Sequence, residues 1–457
     1  MQLVEQLRAE VAQVRTELAA TKAELAAAKK NSSNSSKPPS SDIVKPPRTK
    51  TQGKRQRGGQ PGHSRHERPA FDALRIDETV NYTLSGCPDC GGHLELSGRA
   101  PRVLQQVELV PKLIEAVEHR GLAYWCAHCQ KTHYGVIALD VRQAGLIGPG
   151  LTTLIAYLKA VGHCSFSTIR KFVRDVLGLQ VSRGHLAKLI AKVSDSLEFA
   201  YQSLLDMLPK QHVVNADETG HKDNGQVLWT WCFRAPLFTL FKISPSRGSD
   251  VLVDVLGKEF NGVLGCDYFS AYRKYLGDCN VLVQFCLAHL IRDIKFLTTH
   301  PDSRTRAYGA RVLEAVRELF AVIHRRESMR ASAFQTALEN AGDELWAAAI
   351  WRVPNSKEAH NLCDRFEKHG ASYIRFITTP GIEPTNNLAE QAIRFVVLDR
   401  HVTQGTRSEV GQRWSERIWT VIATCTQQGR DLFPFLLEAV TAFVQGQPLP
   451  TLQPNSS

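Results

Sequence analysis

Three acidic residues have types and positions that suit the binding of metal ions. Asp217 and Asp267 each follow a short apolar run, at residues 212–216 and 263–266, that we predict to be a buried strand. The third, Glu390, lies near the start of a segment that we predict to be a helix. Carboxylates on such elements can hold two Mg²⁺ ions about 4 Å apart, which stabilise the attacking and the leaving oxygen in phosphodiester chemistry. The three acids therefore predict a two-metal site.

Each acid also has a simpler interpretation. A single aspartate at the end of a strand is usually a turn or cap residue, and Asp217 has Glu218 beside it as a competitor. Glu383, in the more irregular loop before the helix, competes with Glu390 in the same way. Taken together, in this order and on these predicted elements, the three acids are better explained as metal ligands.

The elements that must position the acids follow a recognisable order. Apolar patterning predicts five strands, with one helix between the third and the fourth: strands 212–216, 227–234, 237–243, 263–266 and 281–285, and helix 250–256. Asn224–Gly225, between the first two strands, is a hairpin signal. This order matches a ribonuclease-H-like sheet, in which the first and fourth strands are neighbours. Asp217 and Asp267 would then share one metal site, and Glu390 would join them after a helical insertion.

A second chemical signal comes from two Cys-x-x-Cys pairs with 35 residues between them: Cys87, Cys90, Cys126 and Cys129. Four thiolates in two such pairs suit a tetrahedral structural Zn²⁺, although the spacer exceeds the roughly 15–20 residues usual for this pattern. Three nearby histidines leave an alternative ligand set open: His93, His128 and His133. A site closed by four ligands would be structural and would take no part in catalysis.

The bulk composition indicates folded domains and an anionic partner. The 457 residues are 43% hydrophobic and carry a net charge of +11, with a pI near 9.1. Apolar runs are short and interrupted by charge, so we expect no membrane span, and the charged N-terminus does not suit a signal peptide. The eleven cysteines are an odd number, and in a chain that is not secreted the paired ones favour metal over disulfides.

Residues 1–30 are predicted to form a coiled-coil dimerisation helix. Val4, Val11, Leu18 and Leu25 are seven residues apart, and the β-branched residues at the first two positions favour a parallel dimer. An amphipathic helix packed on its own chain is the alternative, but the polar stretch that follows offers it no nearby surface.

Residues 31–69 are predicted to be a flexible basic linker. Between residues 37 and 68 there are nine Lys or Arg residues against two acidic ones. The cations Lys54, Arg55 and Arg57 would contact DNA phosphates largely without reading base sequence. A solvated linker that binds nothing is the alternative.

Residues 141–208 are predicted to be helical and to contain a pair resembling a helix-turn-helix. The stretch Ser165–Gly178 has a suitable glycine at its end, and Ser182 suits the N-cap of a second helix. Arg183 and Lys188 would then face the major groove of DNA. Helix pairs of this kind are also common packing units, so packing alone is an equal alternative.

Taken together, the motifs resemble those of one known family, the insertion-sequence-66 transposases of bacteria. The resemblance is carried by these stretches: Ser35–Asp42, the two cysteine pairs, Asp217–Thr219, Asp267–Tyr272 and Asn386–Glu390. Cys286 and His289 also match a Cys-x-x-His signature that follows the fifth strand in such enzymes. These two residues would pack beside the active site or contact DNA, and a second zinc site is the remaining interpretation. Gln391 stands where the family often has arginine.

The resemblance implies an Asp-Asp-Glu DNA transposase. Asp217, Asp267 and Glu390 would position two Mg²⁺ ions for cleavage at transposon ends and strand transfer into target DNA, with Asn387 and Arg394 as accessory residues. Its partners would be both DNAs, further copies of the chain in a homodimer or higher oligomer, and accessory proteins of the same element. The enzyme would work in the bacterial cytoplasm, associated with the nucleoid.

Two other functions fit parts of the sequence. A catalytically silent, zinc-containing DNA-binding regulator would need the N-terminal segments but not the acidic triad. A structure-selective nuclease built on the same sheet would cut DNA without joining it.

The predicted fold is multidomain α/β. A ribonuclease-H-like catalytic core with a helical insertion is preceded by a coiled coil, a zinc-binding module and a helical DNA-binding region. The predicted segments are 1–30 coiled coil, 31–69 linker, 70–140 zinc module, 141–208 helical region, 209–286 first part of the core, 287–379 helical insertion, 380–445 last part of the core with the glutamate helix and the C-terminal helices, and 446–457 tail.

Overall fold

The computed structural model describes residues 113–454 without interruption. Before them it describes shorter stretches: residues 5, 10–18, 21–22, 25, 72, 74, 76–85, 88–91, 93, 95 and 103–106. The predicted linker, with Lys54, Arg55 and Arg57, and the predicted zinc ligand Cys87 lie outside the described residues. The chain divides into two compact units, of which one is Pro47–Glu118 and the other is the remainder of the chain.

The described part of the N-terminus, residues 10–18, is helical. Val11, Leu18 and Leu25 of the predicted heptad row are 49%, 51% and 54% exposed. A helix within these residues is therefore confirmed, and its apolar row is open to solvent in the single chain. The pairing of two such helices in a parallel coiled coil stays a prediction.

The continuous part begins with a two-stranded hairpin and a group of helices. The hairpin pairs β1 (Ala123–Cys126) with β2 (Lys131–Tyr134) in antiparallel orientation. Five helices follow: α1 Leu139–Ala144, α2 Pro149–Ala160, α3 Phe166–Leu177, α4 Arg183–Ser196 and α5 Glu198–Met207. The predicted Ser182 cap is confirmed, since its hydroxyl accepts a backbone hydrogen bond at the start of α4, as the hydroxyl of Ser165 does for α3. Gly178 ends α3 with a φ of 69°, which favours glycine.

A mixed five-stranded sheet forms the centre of the larger unit. Its strands are β3 Val213–Asp223, β4 Gln226–Arg234, β5 Thr239–Ser244, β6 Val263–Cys266 and β7 Leu282–Phe285, in the spatial order β5-β4-β3-β6-β7. Strands β3, β4 and β5 are antiparallel, whereas β6 and β7 run parallel to β3. Helix α6 (Ser249–Leu256) lies between β5 and β6 in the chain, and α7 (Ser270–Cys279) lies between β6 and β7. All five predicted strands are present, and the first and fourth are neighbours as predicted.

The first strand of this sheet is longer than predicted. β3 continues past Asp217 to Asp223, whereas the predicted strand ended at residue 216. Its antiparallel partner β4 explains the difference, because the two strands pair residue by residue from Asn215 to Asp223. The polar stretch after Asp217 lacks an apolar pattern, so its conformation depends on this pairing and on the tight turn at Asn224–Gly225, where φ is 47° and 87°. Asp217 therefore lies within a strand and not at its end.

The predicted insertion after the fifth strand is helical. Its helices are α8 Leu287–Leu297, α9 Ser303–His324, α10 Ala331–Ile350, α11 Lys357–Tyr373 and α12 Arg375–Thr378. The buried side chain of Gln284, on β7, connects the end of the insertion to the sheet. Its amide donates a hydrogen bond to the carbonyl of Tyr373 (3.0 Å) and accepts one from the backbone N–H of Phe376 (2.9 Å).

Three helices complete the larger unit: α13 Asn387–Thr403, α14 Glu409–Gln428 and α15 Leu432–Gln445. Glu390 lies in the first turn of α13, so its predicted place on a helix is confirmed. Among the helices that the structure describes, none combines the length and the apolar character needed to cross a membrane.

Helix α14 covers the open edge of the sheet. Strand β5 is an edge strand, and side chains spaced four residues apart on α14 accept hydrogen bonds of 2.6–3.2 Å from its alternate backbone amides. The pairs are Glu416 with Ile243, Thr420 with Phe241, and Thr424 with Thr239. These contacts satisfy donors that an edge strand otherwise leaves unpaired, and they block pairing with another chain.

We expect Thr420→Val to lower the free energy of unfolding by about 1–3 kcal/mol, because the isosteric side chain leaves the buried N–H of Phe241 without an acceptor. Urea denaturation of the whole protein measures the change. Thr426→Val, at an exposed position on the same helix, is the matched control and should change stability by less than about 0.5 kcal/mol. Equal losses in the two variants would show that the edge contact contributes nothing specific.

Candidate active site

Two of the three predicted acids lie on neighbouring parallel strands. β3 and β6 pair in register from Val213 opposite Val263 to Asn215 opposite Gly265. Continued by two residues, this register places Asp217 opposite Asp267, which directly follows the end of β6. The sheet therefore brings together two carboxyl groups that are 50 residues apart in the chain.

The charges of these acids oppose one another. Burial raises the pKa of Asp217 well above its usual range, and the negative charges of Glu218, Asp267 and Glu390 raise it further. A hydrogen bond from the backbone N–H of Glu218 (3.0 Å) opposes this increase. Burial also raises the pKa of Asp267, against a hydrogen bond of 2.9 Å from the backbone N–H of Phe269. The cluster therefore resists full ionisation unless a cation compensates it.

Glu390 reaches the same neighbourhood from α13. Burial raises its pKa, while the charges of Arg292 and Arg394 lower it. One carboxylate oxygen, Oε1, lies 3.4 Å from His289 Nδ1 and 3.7 Å from Arg292 Nη2. That oxygen is buried and has no hydrogen-bond partner among the described residues. A buried carboxylate oxygen without a hydrogen bond is costly even with Arg292 at ion-pair distance, and a bound cation would relieve that cost.

A tighter group of potential ligands includes Glu390 but not the two aspartates. The ligand atoms of Cys286, His289 and Glu390 all lie within 4.8 Å of one another, and among the described residues no other group of three meets this criterion. Burial, followed by the charge of Arg292, lowers the pKa of His289 to about 4, so its ring is neutral at pH 7. The structure thus places the Cys-x-x-His residues directly beside the predicted glutamate.

One buried asparagine connects the elements that carry the acids. Asn386, 2% exposed, donates from Nδ2 to the carbonyl of Ala216 (2.7 Å), which immediately precedes Asp217. Its Oδ1 accepts a hydrogen bond from Asn215 Nδ2 (3.0 Å), and its backbone N–H donates to Cys286 Sγ (3.1 Å). The first turn of α13 is therefore fixed against β3 and against the start of α8. Sequence reasoning missed this role, because an asparagine before a helix normally indicates only a cap.

Glu218, the alternative to Asp217 as a metal ligand, is bound by other side chains of the protein. Adjacent residues in a strand face opposite sides of the sheet, and the carboxylate of Glu218 is held by Arg247 at 2.8 Å and by the hydroxyl of Tyr272 at 2.5 Å. The Arg247 guanidinium also lies over the ring of Phe269, 3.9 Å from its centre. Burial raises the pKa of Glu218 to about 7. The second competitor, Glu383, is exposed in the loop before α13.

The predicted accessory and DNA-contacting residues are dispersed over the surface. Asn387 and Arg394 are exposed on α13, and Arg183 and Lys188 are exposed on α4. Of these four, Arg394 is close enough for its charge to lower the pKa of Glu390. Exposure is compatible with contact to an external partner, and the predicted role of each residue stays a prediction.

One predicted cysteine pair lies on the short hairpin. Cys126 ends β1, and Cys129 lies in the turn that follows, with its Sγ 3.3 Å from His133 Nε2. Cys90 is exposed in the smaller unit, and its partner Cys87 lies outside the described residues. His133, one of the alternative ligands considered above, is therefore next to this pair. The zinc site itself stays a prediction.

Comparison with known proteins gives one extended family match. A family model described as "Transposase IS66 family" matches residues 144–413, and a model of a family of unknown function matches residues 1–69. An uncharacterized protein, y4qI, of Sinorhizobium fredii is 25% identical over 429 residues, which cover 86% of this chain and 77% of that protein. A chain in a cryo-EM structure of the simian T-cell lymphotropic virus intasome with PP2A regulatory subunit B56 gamma matches 44% of this chain and 71% of its own length, at 10% identity and a TM-score of 0.15.

We expect Asn386→Ala to lower the free energy of unfolding by about 1–3 kcal/mol, because the buried carbonyl of Ala216 and the Asn215 amide lose their partner. Urea denaturation measures the loss. Asn387→Ala, at the exposed neighbouring position, is the matched control and should remain within about 0.5 kcal/mol of the unsubstituted protein. An Asn386 variant as stable as the Asn387 variant would contradict the bridging role.

Stability should fall with rising pH in a buffer without added Mg²⁺. The folded pKa of Glu218, about 7, lies above its ordinary value of 4.5, so its contribution is complete below about pH 4.5 and is lost as the pH rises through 7. At about 1.4 kcal/mol per pKa unit, this loss is at most about 3 kcal/mol. Urea denaturation between pH 5 and 8 should give a flatter dependence for Glu218→Gln. The exposed Glu383→Gln variant should keep the slope of the unsubstituted protein, and identical slopes in all three proteins would refute the prediction.

Proposed function

Because the chain belongs to the IS66 family of transposases, we propose that it cuts and joins DNA at a site formed by Asp217, Asp267 and Glu390. Family membership makes the chain a DNA transposase in general terms, and the assignment of its catalytic residues is our proposal. One observation carries it: the carboxyl groups of Asp217, Asp267 and Glu390, from β3, the end of β6 and α13, are partly buried and interact electrostatically. The strand order β5-β4-β3-β6-β7 supports the proposed ribonuclease-H-like core.

The donor set fits Mg²⁺. This ion prefers oxygen ligands, takes one or two carboxylates and keeps several waters for substrate phosphates to replace. Asp217 is the acid whose pKa responds to both of the others, which suits a ligand shared between two ions. Two ions about 4 Å apart need ligands on their outer sides that lie well separated. This requirement agrees with Asp267 and Glu390 not joining Asp217 in a cluster as tight as 4.8 Å.

The chain's own residues would hold the reacting groups and supply no covalent intermediate. When bound, two Mg²⁺ ions would activate the attacking oxygen and stabilise the leaving oxygen. Asp267 is oriented by the backbone N–H of Phe269, and Arg292 and Arg394 place positive charge beside Glu390. In cleavage, the oxygen of water forms the new bond to phosphorus and the 3′ oxygen leaves. In joining, that 3′-hydroxyl forms the new bond and an oxygen of the target strand leaves.

The remaining segments would bring DNA to this centre. We assign DNA contact to the basic linker and to Arg183 and Lys188, a structural Zn²⁺ to the paired cysteines, and self-association to the N-terminal helix. The position of Cys126 and Cys129 on one hairpin supports the zinc assignment. His133 lies next to Cys129 and is an alternative to one of the cysteines as the fourth ligand. Accessory proteins of the same element and action at the bacterial nucleoid belong to the same proposal.

We expect Asp267→Asn and Glu390→Gln each to lower cleavage and joining by about 10³-fold or more, equivalent to about 4 kcal/mol of transition-state stabilisation. Binding of the DNA ends should persist, because binding depends mainly on cationic residues elsewhere. The measurement is a Mg²⁺-dependent assay that follows nicked and joined products on DNA containing the ends of the element. Glu383→Gln, an exposed acid before the same helix, is the control and should remain active.

Three outcomes of this assay would contradict the proposal. Strand transfer by either acid variant would remove that acid from the catalytic set. Specific binding without any cutting by the unsubstituted protein would favour a silent DNA-binding regulator. Cutting without joined products would favour a nuclease.

A further inference from the structure

A large cavity adjoins strand β3, and the residues given for its lining include none from the insertion helices. Its volume is about 1010 Å³, at the upper limit of the roughly 300–1,000 Å³ typical of ligand pockets. It is bounded by the end of α2, the starts of α3, α4 and α14, the end of α13, and β3. Four cationic side chains line it, and we call it the cationic cavity: Lys159, Arg183, Arg400 and Arg407.

The cavity has an excess of positive charge. Asp399 is the sole carboxylate in its lining, and both of its oxygens are engaged within the protein. His163 Nδ1 lies 2.7 Å from Oδ1, and Trp419 Nε1 donates to Oδ2 at 3.1 Å. Burial lowers the pKa of Lys159, Asp399 raises it, and the charge of Arg407 lowers it again. A partly buried cation in this position is stabilised when an anion enters the cavity.

Other polar groups in the lining also favour an anion. The first turns of α3 and α14 lie at the wall, where their N-caps are Ser165 and Ser408. Helix N-termini carry partial positive charge and free backbone N–H groups. His221, 1% exposed, lies in the same lining, and its Nε2 donates to Thr406 Oγ1 at 2.9 Å, because that hydroxyl itself donates to Asp223. Burial lowers the pKa of His221 to about 4, so the ring is neutral at pH 7, its Nδ1 is an acceptor, and it adds no attraction for an anion.

Strand β3 sets the distance between the cationic cavity and Asp217. Asp217, Thr219 and His221 alternate along β3 and therefore face the same side of the sheet. At about 3.3 Å per residue, Thr219 lies about 7 Å and His221 about 13 Å along the strand from Asp217. His221 lines the cavity, and the lining residue Arg400 donates from Nη1 to Thr219 Oγ1 at 3.0 Å, so a cation of the cavity reaches the nearer position. Phosphates along one DNA strand rise about 3.4 Å per nucleotide. For a duplex whose axis runs along β3, the cavity is therefore roughly two to four nucleotides from the site of bond cleavage.

We propose that the cationic cavity binds the phosphodiester backbone of one DNA strand next to the cleaved bond. The inference rests on the proposed function for its position relative to the reaction. It adds Lys159, Arg400 and Arg407 to the residues that contact DNA, and it gives Arg183 a phosphate contact in place of base reading in the major groove. The cavity would hold the strand in place while the acids act on the bond.

The test uses the full-length protein in a buffer without added Mg²⁺ and without a chelator, so that binding is measured without cleavage and the proposed structural Zn²⁺ is kept. Fluorescence anisotropy would follow a labelled duplex containing the end of the element over a range of salt concentrations. Lys159→Gln and Arg407→Gln should each reduce the slope of log K against log[salt] by about 0.7–0.9, the value for one lost phosphate contact. Lys258→Gln and Arg326→Gln remove exposed cations outside the cavity and should leave the slope unchanged. Arg407 is itself exposed, so its variant keeps the test valid if the Lys159 variant fails to fold.

A second arm locates the contact on the DNA. Single phosphates are replaced by neutral methylphosphonates, one at a time, from one to six nucleotides from the cleavage point. In the unsubstituted protein, replacement two to four nucleotides away should weaken binding several-fold. In the Lys159→Gln variant the same replacement should have little further effect on binding, because the substitution and the neutral phosphate remove the same contact.

Several results would overturn the inference. Cavity variants whose salt slopes equal those of the surface controls would exclude a phosphate contact, whether or not the protein cleaves DNA. Binding of dAMP or inorganic phosphate that depends on Lys159, with unchanged DNA affinity, would make the cavity a site for a free anion. Reduced slopes in a protein that never cleaves DNA would uphold the cavity and refute the proposed function.

Discussion

Mutual repulsion among buried carboxyl groups is the constraint on which the centre of this protein depends. Burial raises the pKa of all four acids, Asp217, Glu218, Asp267 and Glu390, and the charges of neighbouring acids raise the pKa of the first three further. A chain that folds around such a cluster loses stability unless something else compensates. Glu218 is compensated within the protein by Arg247 and Tyr272, whereas the other three lack a comparable set of partners on their carboxylates. A site of this kind is organised for cations that arrive from outside.

The scaffold has to keep the acids together against that repulsion. Parallel pairing of β3 with β6 places the two aspartates side by side, and Asn386 ties the helix of Glu390 to the strand of Asp217. Farther away, α14 satisfies the amides of edge strand β5, which fixes the antiparallel half of the sheet. Hydrogen bonds to buried backbone groups provide most of this stabilisation, because breaking one leaves a buried polar group unpaired, which is costly. The arrangement of the acids is thus maintained by hydrogen bonds, most of them between neutral groups, that surround a charged centre.

Apolar patterning predicted the parts of the fold that bury apolar faces. Whereas the hairpin followed from the Asn224–Gly225 turn signal, all five strands followed from such patterns. The polar extension of β3 did not, because it is held by pairing with β4 and by a turn. The bridging by Asn386 and the cationic cavity join residues up to 260 positions apart, from Lys159 to Trp419, and no local pattern encodes such contacts. The acids themselves were identifiable from residue type and order. The groups that compensate the negative charge of each acid became evident only from the folded chain.

The central claim is that Asp217, Asp267 and Glu390 hold two divalent ions, and anomalous diffraction tests it most directly. Crystals of the protein with an end-containing oligonucleotide and Mn²⁺ would locate each ion. Two peaks about 4 Å apart, both contacting Asp217, with Asp267 on one and Glu390 on the other, are the predicted result. A single peak bound by Glu390, Cys286 and His289, with neither aspartate in contact, would contradict the account.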